Sequence, residues 1–263
     1  MQDLVRSRSH PLVKRLRALK AGREANGVIL LEGWRLIEEA LASGLVMVEV
    51  AVAPRAETER AKGVTERLAA NGAAVRRVSD DVMDALAETE TSPGILAIAR
   101  RPAFDEEQIF RDTPLIVVGV GIQNPGNVGA LLRTGEAAGA TGAYLTAESA
   151  DPMSWKALRG SMGSAFRLPH VSGPSADDVL ARLAAHGVTT IATMASRGDR
   201  YDTMDFTGPV AFLFGNEGAG LPAELAARAD RRVAIPMTSP VESLNVAVAA
   251  GVLLFEAGRQ RRR

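Results

Sequence analysis

The sequence predicts two α/β domains in series, the second built on a mostly parallel sheet. Three observations predict this. Apolar runs alternate with stretches that carry apolar residues at helical spacing through the first hundred residues, the pattern of a small α/β domain. A polar segment bounded by prolines, RPAFDEEQIFRDTP from Arg101 to Pro114, then interrupts the alternation and reads as a linker. After it the alternation resumes for about 150 residues with no internal repeat, and strands separated by helices favour parallel neighbours. The expected boundaries are therefore 1–100, 101–114 and 115–263.

Composition narrows the class. A hydrophobic fraction of 46% and a charged fraction of 24% are those of a soluble globular protein, and 263 residues suffice for a substantial core. No apolar run approaches the roughly 20 residues that span a bilayer. The start, MQDLVRSRSH, carries no apolar signal region, so a cytoplasmic protein without membrane association is expected. The absence of cysteine excludes disulfides, thiolate zinc sites and a cysteine nucleophile. His10, His170 and His186 stand alone, so no metal site is expected and each is read as structural or superficial.

The net charge is zero, but its distribution is uneven. Arg6, Arg8, Lys14, Arg15, Arg17, Lys20 and Arg23 form a run free of acids, and the chain ends in RQRRR. Such ends bind phosphate, or form a solvated helix face and a frayed tail; charge alone leaves both readings open.

The elements follow in order. Residues 10–22 have helical spacing with a basic outer face. GVILLEG reads as a buried strand, WRLIEEALASG as an amphipathic helix closed by Gly44, LVMVEVAVA as a strand, residues 56–70 as a helix and AAVRRVS as a strand. DDVMDALAET reads as a helix and GILAIAR as the closing strand. Beyond the linker come the strand LIVVGVGI, a helix from Asn127 as N-cap to Gly139, the strand GAYLT, a helix around Trp155 and the strands VTTIATM and VAFLFG. The helix PAELAARA, the strand RVAIP and a last helix capped by Ser243 or Glu242 complete the chain. The last helix, with Val246, Ala249, Ala250, Leu253 and Leu254, is so apolar that burial on most sides is expected.

Polar loops follow four of these strands, where open α/β sheets hold ligands. IQNPGNVGALLRT places Arg133 six residues after Asn127 on an otherwise apolar helix, either as a surface bridge or reaching for phosphate. FLFGNEGAGLPAE combines tight-turning glycines with Asn216 and Glu217, a pair that a mere connection does not require. IPMTSPVESLNVAVA leads into the last helix with Ser243 and Asn245 at its start, where backbone N–H groups face outward. TMASRG follows the strand ending at Met194. No G-x-G-x-x-G joins strand to helix, which disfavours a nucleotide-binding oxidoreductase.

These three motifs, NPGNVGALLRT, LFGNEGAGL and IPMTSPVESLNVAVA, occur in the order and spacing of the SpoU/TrmH family of the SPOUT superfamily, the knotted RNA ribose methyltransferases, which the chain resembles over residues 115–258. SMGSAFRLP resembles the family's segment between the first two motifs, and SRSHPLVKRLRAL with ILLEGWRLIEEAL resembles the L30e-like substrate-binding domain often attached to it. The resemblance implies a trefoil knot in the last strands and helix, a homodimer whose active site uses both subunits, and S-adenosyl-L-methionine held bent by the knotted loops. The donor's pocket would comprise Thr193, Met194, Leu213, Gly215, Asn216, Glu217, Ile235, Met237, Ser243, Leu244 and Asn245.

The resemblance names Arg133 as the base that takes the ribose 2′-hydroxyl proton. A guanidinium keeps its proton in proteins, with a pKa above about 12. Either the substrate phosphate perturbs Arg133 into accepting a proton transiently, or Arg133 clamps a phosphate while another group or water accepts it. Asn127, Glu217, Ser243 and Asn245 would orient Arg133, ribose and cofactor. Arg6, Arg8, Lys14, Arg15, Arg17, Lys20 and Arg133 are the candidate RNA contacts. Ser239 stands where the family commonly has glycine, and Ala247 where serine is common. The expected function is 2′-O-ribose methylation of ribosomal RNA, with transfer RNA as the alternative substrate and a non-catalytic RNA-binding dimer as the alternative class.

Overall fold

The structure, a computed structural model, describes residues 4–22, 27–56, 58–86 and 93–262. It divides into two compact units, Met1–Ala103 with Met153–Leu158, and Phe104–Pro152 with Arg159–Arg263.

In the first unit α1 (Pro11–Lys20) starts at a proline, whose missing N–H is harmless in a first turn, and His10 Nδ1 accepts from the Leu12 amide at 3.2 Å. The chain continues through β1 (Val28–Glu32), α2 (Trp34–Ala42), β2 (Met47–Val52), α3 (Glu59–Ala70), β3 (Ala74–Arg77), α4 (Asp80–Asp84) and β4 (Ile95–Arg100). The strands lie in the order β1-β4-β2-β3, with β4 antiparallel to β1 and β2, and β2 parallel to β3. Leu12, Val13 and Leu16 of α1 and Val82 and Met83 of α4 pack with Ala51, Val78 and Ile98 in one core. The helix expected over DDVMDALAET ends at Asp84; its expected residues 87–89, like Arg23 of the basic run, lie outside the described residues. Trp155, in the Met153–Leu158 part of this unit, donates its indole N–H to Glu32 at 2.8 Å.

The stretch 101–114 differs from a free linker. A short 3-10 turn covers Glu106–Phe110 in the second unit, and Ile109 is fully buried there. Glu106 accepts from the Tyr144 hydroxyl at 2.6 Å and from the Arg182 guanidinium at 2.7 and 2.9 Å. A segment looks linker-like when its charges are counted singly; here Glu106 has partners tens of positions along the chain.

The remainder comprises β5 (Leu115–Gly119), α5 (Pro125–Ala138), β6 (Gly142–Leu145), α6 (Trp155–Ser161), α7 (Ser164–Arg167), β7 (His170–Ser172), α8 (Ala176–Ala185), β8 (Thr189–Met194), β9 (Asp199–Arg200), β10 (Val210–Phe214), α9 (Ala223–Arg228), β11 (Arg231–Ala234) and α10 (Val246–Arg261). Seven strands form one parallel sheet in the order β7-β6-β5-β10-β8-β11-β9. Every residue of β5 and β10 is buried, as strands covered on both faces must be. The two short edge strands, α7 and α8 were not expected. The α8 signal was present: Ser175 and Asp178 form a reciprocal capping box, the S-x-x-D form of a helix start.

Two helix starts are corrected. Asn124, not Asn127, caps α5 by accepting from the Gly126 amide, with Pro125 at the first helical position. Asn245, not Ser243 or Glu242, caps α10 by accepting from the Ala247 amide at 2.9 Å. An asparagine directly before the first helical residue can accept from the orphan amides of the first turn, whereas Asn127 already lies inside α5 and Ser243 and Glu242 lie too far before α10. Both shifts free a polar side chain for the site.

The expectation that α10 is buried on most sides is also corrected. Ala250, Leu253, Leu254, Ala257 and Gly258 are buried, and Gly258 lies so close to α5 that a Cβ there would stand 2.8 Å from the Ala138 carbonyl oxygen. Val248 and Phe255 remain 53% and 46% exposed. The helix runs to Arg261 instead of ending in a frayed basic tail. Arg259 pairs with Glu256, and Arg261 donates to the carbonyls of Thr113, Pro114, Phe206 and Gly208. Its partial burial pulls the Arg261 guanidinium below its ordinary pKa.

Candidate active site

The four polar loops do converge. Parallel pairing of β5 with β10, β10 with β8 and β8 with β11 puts the carboxyl ends of all four strands on one edge of the sheet. Their loops and the start of α10 enclose a cleft of about 970 Å³. Thr193, Met194, Gly215, Asn216, Glu217, Ile235, Met237, Ser243, Leu244, Asn245 and Asn127 line it, so nearly the whole expected set is brought together.

Leu213 is the exception. It is 1% exposed and packs in the core with Val179, Leu183 and Leu225, while Phe214 lines the cleft. Successive strand residues face opposite sides of a sheet, so only one of the two can reach the cleft. Leu213 instead contributes its carbonyl, which accepts from Thr193 Oγ1 at 2.8 Å. Gln123, Asn124, Ala195, Phe214, the turn from Gly218 to Leu221, Val233, Val246, Ala249 and Leu253 also line the cleft, although none of them was assigned to the donor's pocket. Helical spacing from Asn245 could have found Ala249, since positions four apart share a face.

Two side chains of the Asn216-Glu217 turn clasp the loop before α5. Asn216 Nδ2 donates to the Gly121 carbonyl at 2.8 Å, and its Oδ1 accepts from the amides of Gly218 and Ala219. Glu217 accepts from Asn127 Nδ2 at 2.8 Å and from the amides of Asn124 and Gln123 at 3.2 and 3.4 Å. Partial burial works to raise the Glu217 pKa, but the Asn127 amide and the backbone N–H groups outweigh it and hold the carboxyl below its ordinary value. Asn245 Nδ2 then donates to Asn127 Oδ1 at 3.1 Å. One residue from each of the three motifs thus joins a single chain, Glu217–Asn127–Asn245, at the rim of the cleft.

Gly215 makes the turn possible. A Cβ there would fall 2.2 Å from the Gly220 carbonyl carbon and the Leu221 nitrogen, inside the backbone pair formed by Asn216 and Gly220. No larger residue fits without moving that turn. On the opposite wall Ile235, Met237 and Leu244 present apolar surface. The wall's loop turns at Ser239–Pro240, whose peptide is cis, and the Val241 amide donates to the Thr238 carbonyl at 3.1 Å. An apolar slot with backbone groups and a few polar anchors at one end suits a flat heterocycle with a polar tail.

Arg133 sits apart from this cleft. It is exposed on α5 and is not among the lining residues, and no hydrogen bond or ion pair of its guanidinium is made among the described residues. In the first unit Arg6, Arg8, Lys14 and Arg17 are exposed. Arg15 lies 3.7 Å from Glu49, and Lys20 donates to the Leu86 carbonyl at 2.7 Å, so both are partly engaged in holding the fold.

Comparison with known proteins agrees with this geometry. Residues 114–255 match the SpoU rRNA Methylase family, and residues 10–97 match the MRM3-like substrate binding domain. The chain is 34% identical over 238 residues to the 23S rRNA (guanosine(2553)-2′-O)-methyltransferase RlmP of Bacillus subtilis, covering 90% of each. It is similar to the crystal structure of the SpoU methyltransferase AviRb from Streptomyces viridochromogenes in complex with the cofactor AdoMet, with a TM-score of 0.85 and 30% identity over 94% of this chain and 98% of that one. An AdoMet-bound rRNA methyltransferase from Sinorhizobium meliloti superposes with a TM-score of 0.84 at 30% identity, over 98% and 97% of the two chains.

Proposed function

The chain belongs to the SpoU rRNA methylase family, and from that premise we propose that it methylates the ribose 2′-hydroxyl of ribosomal RNA with S-adenosyl-L-methionine as donor. The observation that carries the reading to this chain's own residues is the hydrogen-bonded chain Glu217–Asn127–Asn245, which ties the three motif loops together at the rim of one cleft.

The residues present fit that donor. Ile235, Met237, Leu244 and Phe214 offer apolar walls for an adenine, and the Gly215 turn brings backbone close enough to read its edge. When bound, the donor supplies a methyl group on a positively charged sulfur. The chain's part is to orient, exclude water and hold the acceptor in line. Glu217 is a positioning residue: its carboxylate is occupied by Asn127 and two backbone amides, so it fixes the loop rather than taking the proton. Arg133, exposed and with its donors turned to no described partner, acts as a phosphate clamp, for which a permanent planar cation is suited. Water or the substrate's own phosphate then accepts the proton.

The trefoil knot is supported by the sheet order, in which β10 lies between β5 and β8 although it follows both in the chain. A homodimer is supported by the exposed apolar side chains Val248 and Phe255 on α10 and Val241 and Leu244 in the loop before it, of which Leu244 lines the cleft. That partner would cover the cleft's open side and complete the site around Arg133. Residues 1–100, the larger part of the first unit, are taken as the L30e-like domain that docks RNA, and a cytoplasmic location is consistent with an rRNA substrate. No helix among the described residues is long and apolar enough to cross a membrane.

The test is transfer of labelled methyl from S-adenosyl-L-methionine to separate ribosomal and transfer RNA pools, followed by mapping of the modified nucleotide. Label on a ribose of large-subunit RNA supports the reading; label confined to transfer RNA corrects the substrate. Donor binding without transfer to either pool defeats it.

A further inference from the structure

The tertiary structure rearranges the basic residues of the first unit in a way their sequence positions do not suggest. The N-terminal segment runs alongside β3, the outer strand of its sheet: the Val5 amide donates to the Arg77 carbonyl and the Ser79 amide to the Val5 carbonyl, both at 2.9 Å. Arg6 and Arg8 are thereby carried to the sheet edge where Arg76 and Arg77 are exposed. The Arg17 guanidinium reaches the Arg8 carbonyl, so α1 joins the same edge. Glu49 lies between Arg15 at 3.7 Å and Arg76 at 3.5 Å and orders two of the cations. Of the acids that follow on α4, Asp80 and Asp84 pair with Arg55, and Asp81 is exposed.

We propose that the β3 edge, through Arg76 and Arg77 acting with Arg6, Arg8 and Arg17, is a backbone-binding surface for the RNA substrate. This rests on the RNA methyltransferase reading and adds to it residues that the basic run at the N-terminus does not contain. It also removes Lys20, which the Leu86 carbonyl holds. A sheet margin lined by arginine suits a polyanion because guanidinium groups bind phosphate oxygens in forked pairs. Such contacts are blind to sequence and set the register of the RNA.

Salt dependence tests it. Each phosphate contact contributes about 0.9 to the slope of log affinity against log salt on duplex nucleic acid. With a transcript of large-subunit ribosomal RNA as probe, the double variant Arg76→Gln, Arg77→Gln is expected to lose about two from that slope. Arg67→Gln, an exposed cation on α3, should keep the parent slope. The double variant Arg76→Lys, Arg77→Lys should regain most of the slope, which a merely structural role for these positions would not produce. An unchanged slope in the glutamine variant, or loss of binding in the lysine variant as well, overturns the proposal. The parent reading fails separately: full-length parent protein that shows no S-adenosyl-L-methionine binding by calorimetry and no methyl transfer would sink that reading whatever the salt slope.

Discussion

The Asn127 amide donates to the Glu217 carboxylate at 2.8 Å across 90 positions of sequence, and this one bond joins the helix that carries Arg133 to the turn that closes the cleft. Asn127 also accepts from Asn245, so it is the middle of the chain. Asn127→Ala breaks both bonds, whereas Asn127→Asp puts a second carboxylate against Glu217. Like charges that close raise one pKa strongly. The alanine variant should lose methyl transfer by at least about a hundredfold at every pH. The aspartate variant should lose it most at high pH and regain part as the pH falls, when the pair shares a proton. A pH-rate profile parallel to that of the parent would refute this.

Gly215→Ala tests the turn. Its new methyl group would meet the Gly220–Leu221 peptide at 2.2 Å, and backbone has no rotamer by which to withdraw. A cost on the order of 3 kcal/mol is expected, visible in denaturant unfolding, together with a large drop in donor affinity. Parent-like calorimetric titration would show that the turn yields easily.

Arg133→Ala should abolish methyl transfer while leaving donor affinity nearly intact, because Arg133 does not line the cleft. Under the clamp reading Arg133→Lys retains a measurable rate, since a point charge still attracts phosphate. Full activity in the alanine variant would remove Arg133 from the mechanism.

Glu217 sets a pH limit. Its folded pKa is held below the ordinary value, so the stabilisation its hydrogen bonds provide is complete above that value, about 4.3, and is lost as pH falls through the lower folded pKa. Donor affinity should therefore be flat from neutral pH to about 5 as far as this group is concerned, and decline only below the ordinary carboxylate range. Glu217→Gln should bind more weakly at pH 7 and lack that acid limb. A Glu217-dependent decline centred near neutrality would contradict the bonding pattern.

Arg261 anchors the last helix through four backbone carbonyls, beside Gln260, which bonds the Phe206 amide and the Met204 carbonyl. Arg261→Ala leaves half-buried carbonyls short of a donor. It should cost about 2 kcal/mol, a fall of roughly 5 °C in Tm. RNA affinity should change little, since this cation faces the chain itself. A selective loss of RNA binding at unchanged Tm would return it to the substrate surface.

The α/β class, the order of most elements and the three loops were legible because hydrophobic period and turn residues are local properties. The site was legible for a second reason: Gly215, Asn216, Glu217, Ser243 and Asn245 sit at strand ends, where a parallel sheet gathers its loops. Side-chain facing was not legible at β10, where Leu213 and Phe214 are alike in chemistry and differ only in which way the strand turns them. Nor were the helix caps. Several polar residues precede α5 and α10, and only backbone geometry selects Asn124 and Asn245.

What the sequence by itself determined is the set of elements and the chemical character of each loop, since both follow from interactions within a few residues. The tertiary structure alone decided which polar groups have partners. It engaged Lys20 and Arg261 with carbonyls, set Asn127 between Glu217 and Asn245, and brought Arg6 to the strand bearing Arg77. A charge or an amide acquires its role from what lies within about 3 Å of it, and for these residues the neighbours are tens of positions away along the chain.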